Sequence, residues 1–266
     1  MQKKQITTET KKLNFVYMSE DGVEGRLDAS HCHDCYEILY ILSGEGRYIL
    51  EGSTFDIKPG TLMVIKPSQY HCVFIESGEP YERYIINFHE GAIADEALAL
   101  LSEMVEVGGG KYFPTNTVTP NVSLIFERFE NLVSLPASER DLYYKMLLSE
   151  LIILLSVSGG EKMAQDIEEL GARVIRYINE NIEKNVSLDR LARRFFVSKY
   201  HLCRAFKKHN GISIHGYINQ KRVMRAKQLI AAGETAAGAA YRVGFGDYSS
   251  FYRAYVKVVG KAPTAE

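Results

Sequence analysis

Short runs of β-branched and aromatic residues follow one another between positions 36 and 90, and turns rich in Gly, Pro and Ser separate them. Such runs are typical of strands, and the turn residues mark where each strand ends. Closely spaced strands of this kind favour a small β-barrel or jelly roll. The predicted strands are YEILYIL, GRYILEG, STFDI, TLMVIK, HCVFI and RYIINF.

Beyond the last of these strands, apolar residues recur at helical spacing. Helices are predicted at 96–105, 122–135 and 142–156, and the third has so little polar surface that it should be buried. These helices would form a dimer interface or cover the open end of the barrel, and the pattern is compatible with both roles. A Ser-Gly-Gly sequence at 158–160 then ends the helical pattern, and a polar linker is predicted up to residue 169.

The segment SLDRLARRFFVSKYHLCRAFKKHNG, residues 187–211, predicts two short helices joined by a tight turn. Ser187 and Ser198 are suited to cap them, because a serine hydroxyl accepts a hydrogen bond from the first turn of a helix. Four residues at i, i+3, i+4 and i+7 share the outer face of the second helix: Tyr200, Cys203, Arg204 and Lys207. Such a helix suits a DNA major groove, and the alternative is a solvated cationic helix in an ordinary bundle.

A second helix pair is predicted from about Thr235 onward, with a turn at 244–246. Asp247 is the expected N-cap of its second helix. The outward residues of that helix are Tyr248, Ser249, Tyr252 and Arg253. A helix at 172–182 would precede the first pair, and a longer helix at about 215–232 would connect the two pairs.

Four ordered stretches of this region carry a family resemblance: YINENIEKNVSLDRLA, VSKYHLCRAFKKHNGIS, YINQKRVMRAKQLI and YRVGFGDYSSFYRAYVKVVGKAP. Residues 174–263, about a third of the chain, resemble the DNA-binding domain of the AraC/XylS-type transcription regulators. The resemblance implies two helix-turn-helix units in one monomer, bridged by a long helix.

The resemblance also implies roles for individual residues. Base-reading positions would be Tyr200, Cys203 and Arg204 in the first unit, and Tyr248, Ser249 and Arg253 in the second. Phosphate-contacting positions would be Lys199, Lys207 and Lys208. The second unit departs from the family pattern at Ala236, Gly238 and Ala239, where larger apolar or acidic residues are usual. It is therefore expected to bind DNA more weakly than the first.

Charge is divided unevenly along the chain. From Leu170 onward there are 18 Lys or Arg against 6 Asp or Glu, whereas the first 169 residues hold 14 against 27. A basic C-terminal part suits a polyanion such as nucleic acid. The longest apolar run, LIILLSV at 151–157, is too short to cross a bilayer, and the first residues are polar. Since the four cysteines also show no disulfide framework, a cytoplasmic protein without membrane association is expected.

Three histidines and a glutamate form a candidate site in the N-terminal half. His31, His33 and Glu37 are separated by even numbers of residues, so on one extended strand they would face the same side. His71 lies in a later predicted strand. Three imidazoles and a carboxylate are ligand types that suit a divalent transition metal. The alternatives are an effector pocket and a hydrogen-bonded polar cluster, both without metal.

The spacing His-x-His, three residues, Glu, six residues, Gly44 resembles the first motif of the cupin fold. The segment that ends in His71 departs from the second motif, because no Gly stands two residues after Pro67. Together the two resemblances imply a cupin-like sensor barrel that binds a small effector without metal catalysis. Cys32 and Cys35 form a C-x-x-C sequence, for which a role as small buried side chains is favoured over redox or zinc chemistry.

These features predict a multidomain α and β protein, with an N-terminal cupin-like β-barrel, flanking helices and a C-terminal all-α domain of two helix-turn-helix units. Predicted boundaries are 1–95 for the effector-sensing barrel, 96–158 for a helical dimerisation region, 159–169 for a linker and 170–266 for the DNA-binding domain. The predicted function is transcription regulation by a non-enzyme. Expected partners are promoter DNA, a small-molecule effector such as a sugar or another small metabolite, a second copy of the chain and RNA polymerase.

Two other functions fit part of the sequence. A metal-dependent cupin enzyme, such as a dioxygenase or a sugar isomerase, would carry tightly bound iron or manganese at His31 and His33, with the DNA-binding half as a tail. A DNA-binding protein whose barrel serves only as a dimerisation scaffold would bind no small molecule.

Overall fold

The computed structural model describes residues 3–9, 12–25, 30–105, 110–118, 121–131, 135–162, 170–184 and 186–263. The chain divides into two compact units, Met1–Asp166 and Ile167–Glu266. Most of the predicted linker, residues 163–169, lies outside the described residues, as do residues 132–134 of the second predicted helix.

The first unit contains two antiparallel sheets. Its described strands are β1 (Lys3–Glu9), β2 (Leu13–Glu20), β3 (Tyr36–Ser43), β4 (Gly46–Leu50), β5 (Ser53–Ile57), β6 (Leu62–Ile65), β7 (His71–Ile75), β8 (Tyr81–Phe88), β9 (Gly110–Phe113) and β10 (Glu161–Lys162). The larger sheet has the order β1-β2-β8-β3-β6-β9-β10, and the smaller sheet has the order β5-β4-β7. The six predicted strands correspond to β3 to β8.

Alternation along the strands sorts side chains between the two faces of the larger sheet. On β3, Leu39 and Ile41 belong to a core shared with Tyr48 and Val73 of the smaller sheet. This core lies inside the barrel. Ile38 belongs instead to a second core, which the larger sheet shares with helices. The second core therefore lies on the outer face of the sheet.

Three helices cover that outer face: α1 (Asp95–Val105), α2 (Asn121–Asn131) and α3 (Ala137–Ser156). Phe126 of α2 is fully buried, and its ring stacks on Tyr40 and Tyr84 with centroids 5.0 and 5.4 Å apart. The Tyr84 hydroxyl also donates a hydrogen bond to Glu130 of α2 at 2.9 Å. The helices thus pack on a sheet face, which differs from one of the two predicted roles, a cover over the open end of the barrel.

The second unit is all-α in its described residues. Its helices are α4 (Leu170–Glu180), α5 (Leu188–Arg194), α6 (Lys199–Asn210), α7 (Ile214–Ala231), α8 (Ala236–Arg242) and α9 (Tyr248–Val259). Helix α6 packs on α4 and α5, while α8 and α9 pack on α7. The fold class predicted from the sequence is thereby confirmed.

Local hydrogen bonds fix where the helices of the second unit begin. The side chains of Ser198 and Asp247 accept from the backbone N–H groups three residues later, at 3.1 and 2.7 Å, so both act as N-caps. Helix α6 ends at Gly211, whose φ of 72° lies in the left-handed region that glycine adopts without strain. The predicted caps are confirmed at these positions.

Candidate functional site

Three histidines converge between the two sheets of the first unit. The backbones of His31 and His71 form an isolated bridge, in which each N–H donates to the carbonyl of the other at 3.0 and 2.9 Å. One ring nitrogen from each of His31, His33 and His71 lies within 4.8 Å of the other two. The sequence placed His31, His33 and Glu37 on one strand, but β3 begins only at Tyr36. The histidines reach the same place because an irregular segment pairs with the start of β7.

Glu37 lies directly beside this cluster. Its Oε2 atom is 3.3 Å from His33 Nε2 and 3.8 Å from His71 Nε2. Its Oε1 atom accepts a hydrogen bond from the Tyr48 hydroxyl at 3.3 Å, and the Tyr48 ring stacks on His71 with centroids 5.7 Å apart. Tyr48 therefore holds both the carboxylate and one imidazole in place, as residues around metal ligands do.

The charges of the cluster follow from its burial. Burial alone would raise the pKa of Glu37, but the imidazoles of His71 and His33 outweigh it and lower that pKa to about 2. The hydrogen bond to Glu37 raises the pKa of His33, whereas burial lowers the pKa of His71 to about 4. At neutral pH, Glu37 is thus an anion and His71 is a neutral imidazole, which are the forms that bind metals.

One ring nitrogen of His71 shows whether these residues suit a metal ion. Its Nδ1 atom lies 3.0 Å from the carbonyl oxygen of Gln69, which places the ring proton there and leaves the lone pair on Nε2. Within the described part of the chain, this buried Nε2 atom has no hydrogen-bond partner. Ligand atoms about 2.1 Å from a tetrahedral metal lie about 3.4 Å apart, close to the two distances from Glu37. The donor types and these two distances therefore suit a divalent transition metal.

The cluster lines one part of a cavity of about 550 Å³ inside the barrel. This volume falls within the range of small-molecule sites, about 300–1,000 Å³. The same cavity is lined by a buried ion pair, in which Arg83 Nη2 lies 2.7 Å from Glu20 Oε1 and each side chain is 9% exposed. The Arg83 guanidinium also lies 4.1 Å from the centre of the Tyr81 ring. Arg83 and Glu20 were not predicted as site residues from the sequence.

The second unit presents two polar helix faces to solvent. On α6, Tyr200 is 76% exposed and Arg204, Lys207 and Lys208 are also exposed, whereas Cys203 is half-buried. On α9, the exposed residues are Tyr248, Ser249, Tyr252 and Arg253. Lys199 lies 2.6 Å from Asp189, and both partners are exposed. Each predicted DNA-contacting residue thus lies on α6 or α9, and the contacts themselves stay predictions.

Helix α3, which was predicted to be buried, has a second apolar face that is exposed. Leu142, Met146 and Ile153 are 63%, 61% and 49% exposed, and they follow one side of the helix. The opposite side is buried against the rest of the unit through Leu148 and Leu151. The prediction that the whole helix is buried was therefore wrong for one of its faces. Within the described residues, no helix is long and apolar enough to cross a membrane.

Comparisons with known proteins agree with both halves of this architecture. The family model of the AraC-like ligand binding domain matches residues 16–155, and that of a helix-turn-helix domain matches residues 191–265. The chain belongs to the AraC-type transcription regulators. It is accordingly a DNA-binding regulator with an N-terminal domain for a small-molecule ligand and a C-terminal helix-turn-helix domain.

Individual relatives are distant but match most of the chain. The uncharacterized HTH-type transcriptional regulator YbfI of Bacillus subtilis is 27% identical over 224 residues, which cover 83% of this chain and 80% of that protein. The HTH-type transcriptional activator RhaS of Salmonella arizonae is 23% identical over 230 residues, covering 83% and 81%. The crystal structure of ToxT from Vibrio cholerae is 14% identical and covers 96% of this chain and 97% of that chain, with a TM-score of 0.40.

Proposed function

We propose that a small molecule bound in the barrel cavity controls how α6 and α9 bind promoter DNA, and that the cavity serves binding without catalysis. The observation that supports this most strongly is that one unit holds a pair of capped helices with exposed Tyr and Arg, and that the other unit holds a cavity of small-molecule size. The residues that contact the DNA bases are Tyr200, Cys203 and Arg204 on α6 and Tyr248, Ser249 and Arg253 on α9.

The residues that contact DNA phosphates are Lys199, Lys207 and Lys208. The ion pair between Lys199 and Asp189 does not oppose this role, because an exposed pair contributes only about 0–1 kcal/mol and a phosphate can replace the carboxylate. Two reading helices in one protomer would enter successive major-groove segments about 34 Å apart. RNA polymerase stays a predicted partner, and a cytoplasmic location stays a prediction.

Footprinting tests this function directly. Genomic DNA fragments incubated with the full-length protein should show discrete protected sites, and each site should extend over at least two successive turns of the duplex. Protection that is spread evenly over all fragments would contradict sequence-specific binding.

The geometry also supports a metal in the barrel cavity. We propose that His31, His33 and His71 hold a divalent transition metal, with Glu37 completing the ligand set, because the orphaned Nε2 atom of His71 needs a partner. When bound, such a metal supplies a Lewis-acidic centre that binds oxygen atoms of a ligand.

Replacing His71 with alanine is expected to abolish metal binding. Wild-type protein should hold about one equivalent of manganese or zinc, and metal at 100 times its dissociation constant should add about 2.7 kcal/mol of stability. The His71→Ala variant should show neither effect in elemental analysis and thermal unfolding. His89→Ala is the matched control, since His89 is an exposed histidine of the same unit. Wild-type metal content in His71→Ala would contradict the proposed site.

We also propose that the exposed apolar face of α3 pairs with the same face of a second copy. Contiguous exposed apolar side chains of this kind mark interaction surfaces. Changing Leu142 and Ile153 together to glutamine is expected to turn a dimer into a monomer in sedimentation equilibrium. The exposed Leu124 of α2, changed to glutamine, is the control and should leave the dimer intact. A Leu142→Gln/Ile153→Gln protein that remains dimeric would exclude this face.

A further inference from the structure

The barrel cavity has two polar ends, which lie at different positions along strand β8. Asn87 of β8 pairs with Glu37 of β3, next to the histidines, and Arg83 lies four residues earlier on the same face of β8. Four residues of an extended strand span about 13 Å. The histidine end and the Arg83 end are thus well separated, and one small functional group cannot reach both.

The wall between the two ends is apolar. Ile85 lies between Arg83 and Asn87 on β8, and Leu39 lies next to it on β3. Val16 of β2 and Val73 of β7 line the same cavity. A ligand that fills the cavity therefore needs a carbon skeleton along its middle and polar groups at both ends.

Formal charges decide which polar group suits the histidine end. Glu37 contributes one negative charge there, so a divalent metal leaves that end with one positive charge in excess. Because the site is buried, this charge favours a single anionic oxygen ligand. A carboxylate with a neighbouring hydroxyl satisfies the requirement and can bind the metal through two oxygen atoms.

The opposite end has a different requirement. Arg83 is already paired with Glu20 at 2.7 Å, and both side chains are nine-tenths buried, so the two groups together carry no net charge. A second carboxylate would meet the Glu20 carboxylate and would lose its hydration without compensation. A hydroxyl can donate to Glu20 and accept from Arg83. Hydroxyl groups therefore suit this end.

We infer that the effector is an elongated polyhydroxy acid, whose carboxylate binds at the histidine end and whose distal hydroxyls bind the Glu20–Arg83 pair. The inference rests on the proposed metal site and extends it by naming the ligand class and a second point of contact. The pair thereby selects for the length and the hydroxyl groups of the ligand, while the metal end selects for its acid group.

Calorimetric titration of the full-length, manganese-loaded protein tests the ligand class. The probes are the six-carbon acids gluconate, galactonate and mannonate, each compared with the polyol that lacks the carboxylate. At least one acid should bind about 10-fold more tightly than its polyol, which corresponds to one charge-assisted contact, and chelation of the metal should remove this difference. Equal binding of acids and polyols to the metal-loaded protein would overturn the inference.

A charge-neutral variant tests the second contact. The Glu20→Gln/Arg83→Gln protein leaves neither charge unpaired, so it avoids the cost of a single replacement. It should bind the six-carbon acid about 10-fold more weakly than wild type, while glycolate, which reaches only the metal end, binds as before. If the variant binds the six-carbon acid and glycolate more weakly by the same factor, the Glu20–Arg83 pair has a structural role, and its proposed contact with the ligand is overturned. A wild-type protein that takes up no metal would instead overturn the proposed metal site.

Discussion

Replacing Arg83 alone with methionine is expected to lower the free energy of unfolding of the first unit by about 3–5 kcal/mol. The guanidinium lies 2.7 Å from the Glu20 carboxylate, and both side chains are 9% exposed. Removing the cation takes the guanidinium from a carboxylate that burial keeps mostly away from water. Chemical unfolding followed by circular dichroism measures this effect, since the chain has no tryptophan to serve as a fluorescent probe.

The chain offers a matched control for this prediction. Arg47 and Glu76 form an ion pair in the same unit with the same 2.7 Å distance, but each side chain is 48% exposed. Arg47→Met should therefore cost no more than about 1 kcal/mol. The double variant Glu20→Gln/Arg83→Met should recover much of the lost stability, because no buried charge is left. Equal costs for Arg47→Met and Arg83→Met would show that burial does not set the energy of the Arg83 pair.

Structural features that depend on residues close together in the sequence were predictable. A cap hydrogen bond spans three residues, so Ser198 and Asp247 could be assigned from the sequence alone. Strands β3 to β8 were predictable for a similar reason, because their apolar runs and turns are local signals. Strand β1 was not predicted, since KKQITTE has no apolar alternation, and its place in the sheet comes from pairing with β2.

The site depended more strongly on contacts between distant residues. The sequence identified His31, His33, Glu37 and His71 as a group, and the structure does bring them together. His31 and His33 were predicted to lie on the same strand as Glu37, but they precede that strand. Their position depends on the bridge from His31 to His71, which joins residues 40 positions apart. The pair of Glu20 and Arg83 went unnoticed for the same reason. These residues are 63 positions apart, and only the register of β2 against β8 makes them neighbours.

Replacing Arg204 with alanine is expected to lower the affinity of the protein for a footprinted site by about 10- to 100-fold. Arg204 is exposed on α6, and a guanidinium can donate two hydrogen bonds to a guanine base. Because such a contact depends on sequence, affinity for a scrambled duplex should change much less. Fluorescence anisotropy with both duplexes at two salt concentrations measures the two affinities.

Two controls separate base reading from general electrostatic attraction. Lys208→Ala, a phosphate-contact variant, should weaken binding to the specific and the scrambled duplex by the same factor. Arg225→Ala removes an arginine of α7 that pairs with Glu183 at 3.0 Å and is not among the predicted DNA-contacting residues, so it should leave both affinities nearly unchanged. If Arg204→Ala weakens both duplexes equally, Arg204 contacts phosphate and the sequence preference of the first unit comes from other residues.

The same measurement on Arg253→Ala compares the two helix-turn-helix units. Helix α8, which supports the second reading helix, contributes only small side chains such as Ala239 and Ala240 to the shared core. Helix α5, which supports the first reading helix, buries the larger side chain of Leu191 beside Ala192. Since a less firmly held helix positions its arginine less accurately, Arg253→Ala should cost less specific affinity than Arg204→Ala. An equal or larger loss would show that the small residues of α8 do not weaken the second unit.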